Sequence, residues 1–287
     1  KLMKGYAAVI VTFYPDKEHV KSMYHALADQ VEYIITVDNT PMHVMETVQH
    51  DNNYKIYLGD NLGIATAQNV GLRKAIELGC KKCIIFDQDS IIPESICQTL
   101  GNDIDTLNSM GMKVACIGPR INDILEKKIE KSKNEIKVVN NCFSVNQIIA
   151  SGSLFNLEFL EDIGYMEDDL FIDAVDHEWC WRAKKNGYDV CISANIYMQH
   201  VIGIDRDNFL FWTYIVCSPI RHYYQFRNSL LLLSRDYVPT KWKIKKCIEI
   251  LFLPIIFSIK GPERMARLGY MIKGLLNGLL GNVGRMR

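Results

Sequence analysis

Over its first 118 residues the chain alternates short apolar, β-branched runs with stretches of helical period, and this alternation restricts the fold more than any other feature. Residues 7–12, 33–37, 54–58, 82–86 and 114–117 read as strands. After Asp16, Val20, Met23, Tyr24 and Leu27 recur at three- and four-residue spacing, the signature of one helical face. A second helix spans 61–78, with Ala65, Val70, Leu72 and Ala75 as its apolar positions, Asn61 as cap and Gly79 as stop. Strands alternating with helices predict a mostly parallel sheet covered on both faces. Ligands of such sheets sit beyond the carboxyl ends of the strands. Thr12, Asp38 and Asp87 all fall at those ends, so one shared site is expected there.

The fourth strand runs straight into two carboxylates, Ile84-Ile-Phe-Asp87-Gln88-Asp89. Mg²⁺ and Mn²⁺ take oxygen ligands, commonly one or two carboxylates completed by water and substrate phosphates. Asp87 and Asp89 therefore suit a metal–diphosphate site, although the same pattern also serves as an ordinary solvated turn.

A second acidic group lies at 170–182, LFIDAVDHEWCWR. Asp173, Asp176 and Glu178 stand among Phe171, Trp179 and Trp181. On a helix beginning near Val175, Asp176 occupies the first turn, where the helix dipole favours a carboxylate. Two readings stay open: helix capping, or a general base partly desolvated by its aromatic neighbours. His200 closes a short apolar segment, CISANIYMQH, and takes on meaning only beside the two acidic groups. The polar stretch 120–145 reads as a surface excursion, Ser151-Gly152-Ser153 follows it, and a long helical part is expected from about 209.

The formal net charge is +0, which gives no reason to expect nucleic acid as a partner. The zero conceals an asymmetry: ten Lys/Arg against three Asp/Glu from 236 to 287 give that part +7 and leave −7 on the rest. A basic tail with apolar runs predicts amphipathic helices on an anionic membrane surface, or else packing on the rest of the chain or a homodimer contact. The short apolar opening has no small-residue cleavage site after it, and no run of 18 apolar residues occurs, so neither a signal peptide nor a spanning helix is expected. The nine cysteines lie mostly inside apolar runs and read as reduced core residues, Cys80 and Cys83 included.

Taken in order, VTFYP, VDNT, GDNLGIATAQNVGL, FDQDS, SGSLF and GYMEDDLFIDAVDHEWCWRAKKNGY resemble the motifs of the inverting family 2 glycosyltransferases with the GT-A fold. Val175 stands where many members carry an acid. The D-x-x-D-x-E-W-C-x-R pattern and RHYYQFRNSL (221–230) resemble the rhamnosyltransferase branch, and the likeness covers about 6–235. It implies an α/β fold, GT-A (Rossmann-like), with a mostly parallel sheet, helices on both faces and a C-terminal helical extension. It implies a catalytic domain over 1–235, its nucleotide part about 1–118 and its acceptor part about 119–235, followed by an amphipathic region over 236–287.

The resemblance implies a hexosyltransferase that moves L-rhamnose from dTDP-rhamnose to a glycan or lipid-linked acceptor in surface-polysaccharide synthesis. Asp176 would be the base. A divalent cation, Mg²⁺ or Mn²⁺, would rest on Asp87, Asp89 and His200. The nucleotide-sugar donor would meet Thr12, Tyr14, Asp38, Asn61, Gly63, Asn69, Gln88, Arg221 and Arg227. The acceptor would meet Ser151, Gly152, Asp173, Trp179 and Glu178. Asn61 can instead be a helix cap, and Trp179 and Arg227 can instead be core. The enzyme would sit in the cytoplasm, peripheral on the inner face of the membrane. A family 2 transferase using a UDP-sugar, an inactive sugar-binding module, and a phosphotransferase with Asp87 as nucleophile are the competing readings.

Overall fold

The computed structural model describes residues 2–42, 44–123, 128–129, 135–200, 205–209, 212–259 and 262–286. The chain runs β1 (Met3–Thr12), α1 (Lys17–Leu27), β2 (Val31–Asp38), β3 (Glu46–His50), β4 (Asn53–Tyr57), α2 (Ile64–Glu77), β5 (Lys82–Asp87), α3 (Ile96–Ser109) and β6 (Val114–Asp123). Short strands follow: β7 (Lys128–Ile129), β8 (Ile136–Lys137), β9 (Cys142–Ser144) and β10 (Ser153–Asn156). Then come α4 (Leu160–Ile163), α5 (Val175–Lys185), β11 (Asp189–His200), β12 (Asp205–Phe209), β13 (Trp212–Val216), α6 (Pro219–Leu233), α7 (Thr240–Ile259) and α8 (Arg264–Leu279).

Eleven strands form one sheet in the order β3-β4-β2-β1-β5-β10-β6-β11-β9-β8, with β7 on β6. The expected parallel core is present in β4-β2-β1-β5 and again in β6-β11. Antiparallel β10 joins the two parallel sets. Successive strand residues point to opposite faces, and both faces are covered. Val9, Ile35 and Ile85 pack with Leu72 of α2 and Trp179 of α5. Ile10, Ile84 and Phe86 pack with Met23 and Leu27 of α1 and Leu100 and Ile104 of α3. Each such side chain contributes about 1.5–3 kcal/mol by leaving water, which is why these strands read as continuous apolar runs.

Three stretches differ from expectation. Residues 46–50 form an exposed edge strand, and its mixed composition carried no strand signal. The helical part expected from 209 starts at Pro219, because the β12–β13 hairpin comes first. In the polar excursion, β6 runs on to Asp123, while 124–127 and 130–134 lie outside the described residues. The cysteines are free thiols, and all but Cys247 are buried.

The last two helices belong to the body on one side only. A Cβ on Gly274 of α8 would collide with the Tyr223 carbonyl of α6, so the absence of a side chain there permits the close crossing. Ile256 and Phe257 of α7 close a small core with Phe226 and Met271. No helix among the described residues is long and apolar enough to cross a membrane.

Candidate active site

Parallel register lines up the strand ends. Thr12 stands beside Asp38, and Val11 beside Asp87. Asp38 is buried; its Oδ1 accepts from the Thr40 amide at 3.0 Å, and its Oδ2 lies 3.8 Å from Lys55 Nζ. The Thr12 hydroxyl is buried and has no hydrogen-bond partner among the described residues. Tyr14 is exposed with φ of 47°, and its amide donates to Thr40 Oγ1 at 2.7 Å. Gln88 Oε1 accepts from the Phe13 amide at 2.7 Å and ties the Asp87–Asp89 loop to the end of β1. Sequence reasoning missed Lys55 and Thr40, whose roles depend on pairing between strands.

The two acidic groups meet across two adjacent residues. The Asp87 amide donates to Ser151 Oγ at 3.2 Å, and the Ala150 amide donates to Asp176 Oδ2 at 3.3 Å. Burial pushes the Asp87 carboxyl up to about 7, with the negative charges of Asp89 and Asp176 adding to the rise and Arg221 opposing it. Three carboxylates and one guanidinium therefore share a local field. Asp176 is half-buried in the first turn of α5, and its Oδ1 accepts from the His177 amide at 2.8 Å. Arg221 grips Asp173 through Nη2–Oδ1 at 2.5 Å and Nε–Oδ2 at 3.2 Å. The Asp173 charge, outweighing burial, holds the Arg221 guanidinium more firmly protonated than usual.

The loop into α5 is strained. Phe171, Asp173 and Ala174 have φ of 63°, 70° and 63°, a region unfavourable for side-chain-bearing residues and found where surroundings enforce it. The enforcement is visible. Asn228 Nδ2 lies 3.0, 2.7 and 2.9 Å from the Leu170, Ile172 and Asp173 carbonyls. Arg227 Nη2 donates to the Asp169 and Leu170 carbonyls at 3.1 and 2.8 Å. The Phe171 carbonyl accepts from the Ile64 amide at 2.8 Å. The chain's last segment adds a strap: the Gly284 amide donates to the Asp169 carbonyl at 2.8 Å, and Arg285 pairs with Asp60 at 2.8 Å.

Several expected contacts fall elsewhere. Arg227 is fully buried and spends its guanidinium on carbonyls and on Asn228 Oδ1, so it clamps the loop instead of meeting the sugar donor. Glu178 is fully buried between Arg182, at 2.8 Å, and Tyr237, at 2.7 Å, and so does not face an acceptor. Trp179 is core against Phe155, with its indole N–H on the Gly164 carbonyl at 2.8 Å. Ser151 and Gly152 are buried; the serine hydroxyl serves Asp87 and Ser90, and the Gly152 amide serves the Ile85 carbonyl at 2.7 Å. Asn69, fully buried, holds Met166 through both its amide and its carbonyl, at 2.9 and 2.8 Å. Asn61 organises its loop by accepting from the Gly63 amide at 3.1 Å, while Gly63 itself is the cap of α2. At Gly63, with φ of 89°, a Cβ would lie 2.6 Å from the Phe171 ring. His200 ends β11, and its side chain lies outside the described residues.

Asp87, half-buried, and Asp89, exposed, offer hard oxygen ligands at an open strand end. Among the described residues no three His, Cys, Asp or Glu side chains form a complete cage. Two carboxylates with the remaining positions left to water and phosphate fit Mg²⁺ or Mn²⁺.

No protein-family model matches the chain. The chain is 32% identical over 281 residues to the dTDP-rhamnosyl transferase RfbF of Shigella flexneri, covering 94% of this chain and 92% of that one. It is 20% identical over 239 residues to the low-salt glycan biosynthesis hexosyltransferase Agl10 of Haloferax volcanii, covering 78% of this chain and 74% of that one. Its fold matches that of S. aureus TarS 1–349 in complex with UDP (TM-score 0.55, 13% identity, 97% and 92% covered). It also matches GalNAc-T7 with UDP, GalNAc and Mn²⁺ (TM-score 0.55, 11% identity, 90% and 58% covered). With the strand-end acids and this GT-A architecture in hand, the chain belongs to the family 2 glycosyltransferases, in their rhamnosyltransferase-like branch, and is an enzyme of sugar transfer in polysaccharide synthesis.

Proposed function

We propose that the chain transfers L-rhamnose from dTDP-L-rhamnose to a hydroxyl of a glycan or lipid-linked acceptor, with inversion. The observation that carries this reading is the convergence of Asp87, Asp89 and Asp176 through the adjacent residues Ala150 and Ser151. Its rhamnose component rests on the likeness to the Shigella enzyme.

Asp87 and Asp89 would hold a divalent cation, which supplies positive charge to a leaving diphosphate. The Mn²⁺ in the GalNAc-T7 structure supports that expectation. Asp176 takes the proton of the acceptor hydroxyl while that oxygen attacks the anomeric carbon. The bond from that carbon to the diphosphate oxygen breaks on the opposite face, and the oxygen leaves with the electron pair. One displacement inverts configuration, and general-base help is worth about 10²–10⁴-fold. Arg221, on the same field as Asp87, adds positive charge beside the departing group. Thr12, with its unpartnered hydroxyl, and Asp38 take the nucleotide side. Residues 1–118 thus serve the donor, and 119–235 the acceptor.

Region 236–287 docks the enzyme on an anionic membrane, peripheral on its inner face. Ile244, Ile248, Leu251, Ile255 and Ile259 form an exposed stripe along α7, beside four lysines between 241 and 246. Apolar insertion and cationic attraction together are what such surfaces require. Co-sedimentation with vesicles containing anionic lipid, and none with neutral vesicles, is the expected result. A concentration-dependent dimer without vesicle binding would assign the stripe to self-association.

The test of the chemistry is a thermal-shift screen of dTDP-, UDP- and GDP-sugars with Mn²⁺, followed by transfer assays. dTDP-L-rhamnose is expected to stabilise the protein most, by mass action. Asp176→Asn should keep that shift and lose transfer. Full transfer by Asp176→Asn, or a larger shift with another sugar nucleotide, defeats the corresponding part of the proposal.

A further inference from the structure

We infer that His177 is an acceptor-binding residue whose Nε2–H donates to a hydroxyl oxygen of the acceptor sugar, next to the oxygen that attacks. The inference rests on the reading of Asp176 as base.

The segment 147–151 sets the order of the groups. Ser151 carries the Asp87 amide, Ala150 carries Asp176 Oδ2, and Gln147 lies 3.3 Å from His177 Nδ1. Running back along this segment leads from the metal-side acids to the base and then to His177. In an in-line displacement the leaving diphosphate and the attacking oxygen lie on opposite sides of the anomeric carbon. The base belongs to the attacking side, so the group beyond it, away from Asp87, faces the acceptor.

Hydrogen bonding assigns the ring's proton. The Trp181 indole N–H can only donate, and it meets Gln147 Oε1 at 2.8 Å. The Gln147 amide is thereby oriented, and its Nε2 donates to His177 Nδ1. Nδ1 is the acceptor, so the proton of the neutral ring is on Nε2. The ring is half-buried, and among the described residues no group accepts from Nε2. A fixed donor that the fold leaves unused, one residue after the base, suits a sugar hydroxyl.

The surroundings agree with that direction of approach. Trp181, one turn beyond His177, packs edge-on against Trp242 of α7 with ring centroids 5.1 Å apart. The exposed apolar stripe of α7 begins two residues later, at Ile244. An acceptor whose lipid lies along α7 would bring its sugar to Asp176 past His177.

The test uses the full chain with Mn²⁺ and dTDP-L-rhamnose, and compares transfer to octyl glycosides of N-acetylglucosamine, rhamnose and galactose with plain hydrolysis of the sugar donor. His177→Phe keeps a ring and removes the N–H. His177→Gln returns an N–H at the reach of Nε2, and His177→Asn places one only at the reach of Nδ1. We expect the Phe and Asn variants to raise the acceptor KM roughly three- to tenfold. Donor KM and donor hydrolysis should stay unchanged, and the Gln variant should stay within about twofold of native. Nitrogen-15 spectra of the native imidazole at mildly alkaline pH should show the proton on Nε2. A proton on Nδ1, an unchanged acceptor KM in His177→Phe, or an equal loss of transfer and hydrolysis overturns the assignment. Native protein that turns over no dTDP-L-rhamnose, with or without acceptor, overturns the rhamnosyl-transfer reading instead.

Discussion

Replacing Asn228 with aspartate changes one NH₂ into an oxygen at nearly constant shape, at a residue that is 1% exposed. The native Nδ2 lies 2.7–3.0 Å from three carbonyls, those of Leu170, Ile172 and Asp173. Its two protons vanish in Asn228→Asp, and a buried carbonyl deprived of its donor costs about 1–3 kcal/mol. Two such losses come to roughly 2–6 kcal/mol. The Arg227 contacts to Oδ1, at 2.9 and 2.8 Å, are already charge-assisted in the native protein and so offset little, while the new oxygen would face the three carbonyl oxygens that Nδ2 now serves. The net loss is therefore at least about 2 kcal/mol. Activity should fall much further. The released loop holds three residues at positive φ that have reason to relax, and it leads directly into the helix bearing Asp176. A displacement of about 1 Å at a reacting group costs about 10²-fold. Urea titration gives the first quantity, and transfer from dTDP-L-rhamnose at saturating donor gives the second. Stability within about 0.5 kcal/mol of native, together with undiminished turnover, would refute the clamp argument.

Three further outcomes follow from the same geometry. The Asp87 carboxyl, raised from 3.8 to about 7 by burial and by Asp89 and Asp176, holds its proton more tightly folded than unfolded. Metal-free protein should therefore lose stability through this group as pH rises from about 4 to about 7, as calorimetry at several pH values would show. Asp87→Asn should flatten that slope and abolish stabilisation by Mn²⁺; an unaltered slope would contradict the linkage. Thr12→Val removes a buried hydroxyl without a partner, so stability should hold or rise by up to ~1 kcal/mol. Calorimetry should at the same time show weaker dTDP binding, and unchanged affinity would remove Thr12 from the nucleotide side. Gly63→Ala puts a methyl 2.6 Å from the Phe171 ring at φ of 89°, for a loss of roughly 3 kcal/mol in chemical denaturation; a variant as stable as native would mean that α2 and the loop can part freely.

The strand ends were legible because alternating burial imprints itself on composition. Val9 and Ile10 face opposite cores, so the run has to be apolar throughout, and its polar terminus marks the edge of the sheet. The meeting of Asp87 with Asp176 was legible only as a consequence of the family likeness, because residues 64 and 26 positions apart in sequence, Asp87 to Ser151 and Ala150 to Asp176, make the contacts. Residue type misled wherever burial decided the role. Arg227 and Glu178 have the chemistry of ligand contacts, but their charges are satisfied inside the protein. Asn69 likewise serves the Met166 backbone, 97 positions away. His177 carried no signal of its own, since its tautomer follows from a glutamine 30 positions upstream. The edge strand 46–50 lacks the apolar alternation that a buried face imposes, whereas β13, WTYIV, carries an aromatic and β-branched run that the expectation of helix from 209 passed over.

The strap formed by residues 284 and 285 has a consequence for biosynthesis. Arg285 reaches Asp60 across 225 positions, and Gly284 pins Asp169. A chain growing from its amino terminus completes its nucleotide half long before these fasteners exist. The turn that precedes Asp176 can be fastened in this way only after α8 has been made and folded back, so a nascent polypeptide forms its strand-end half before this turn is secured.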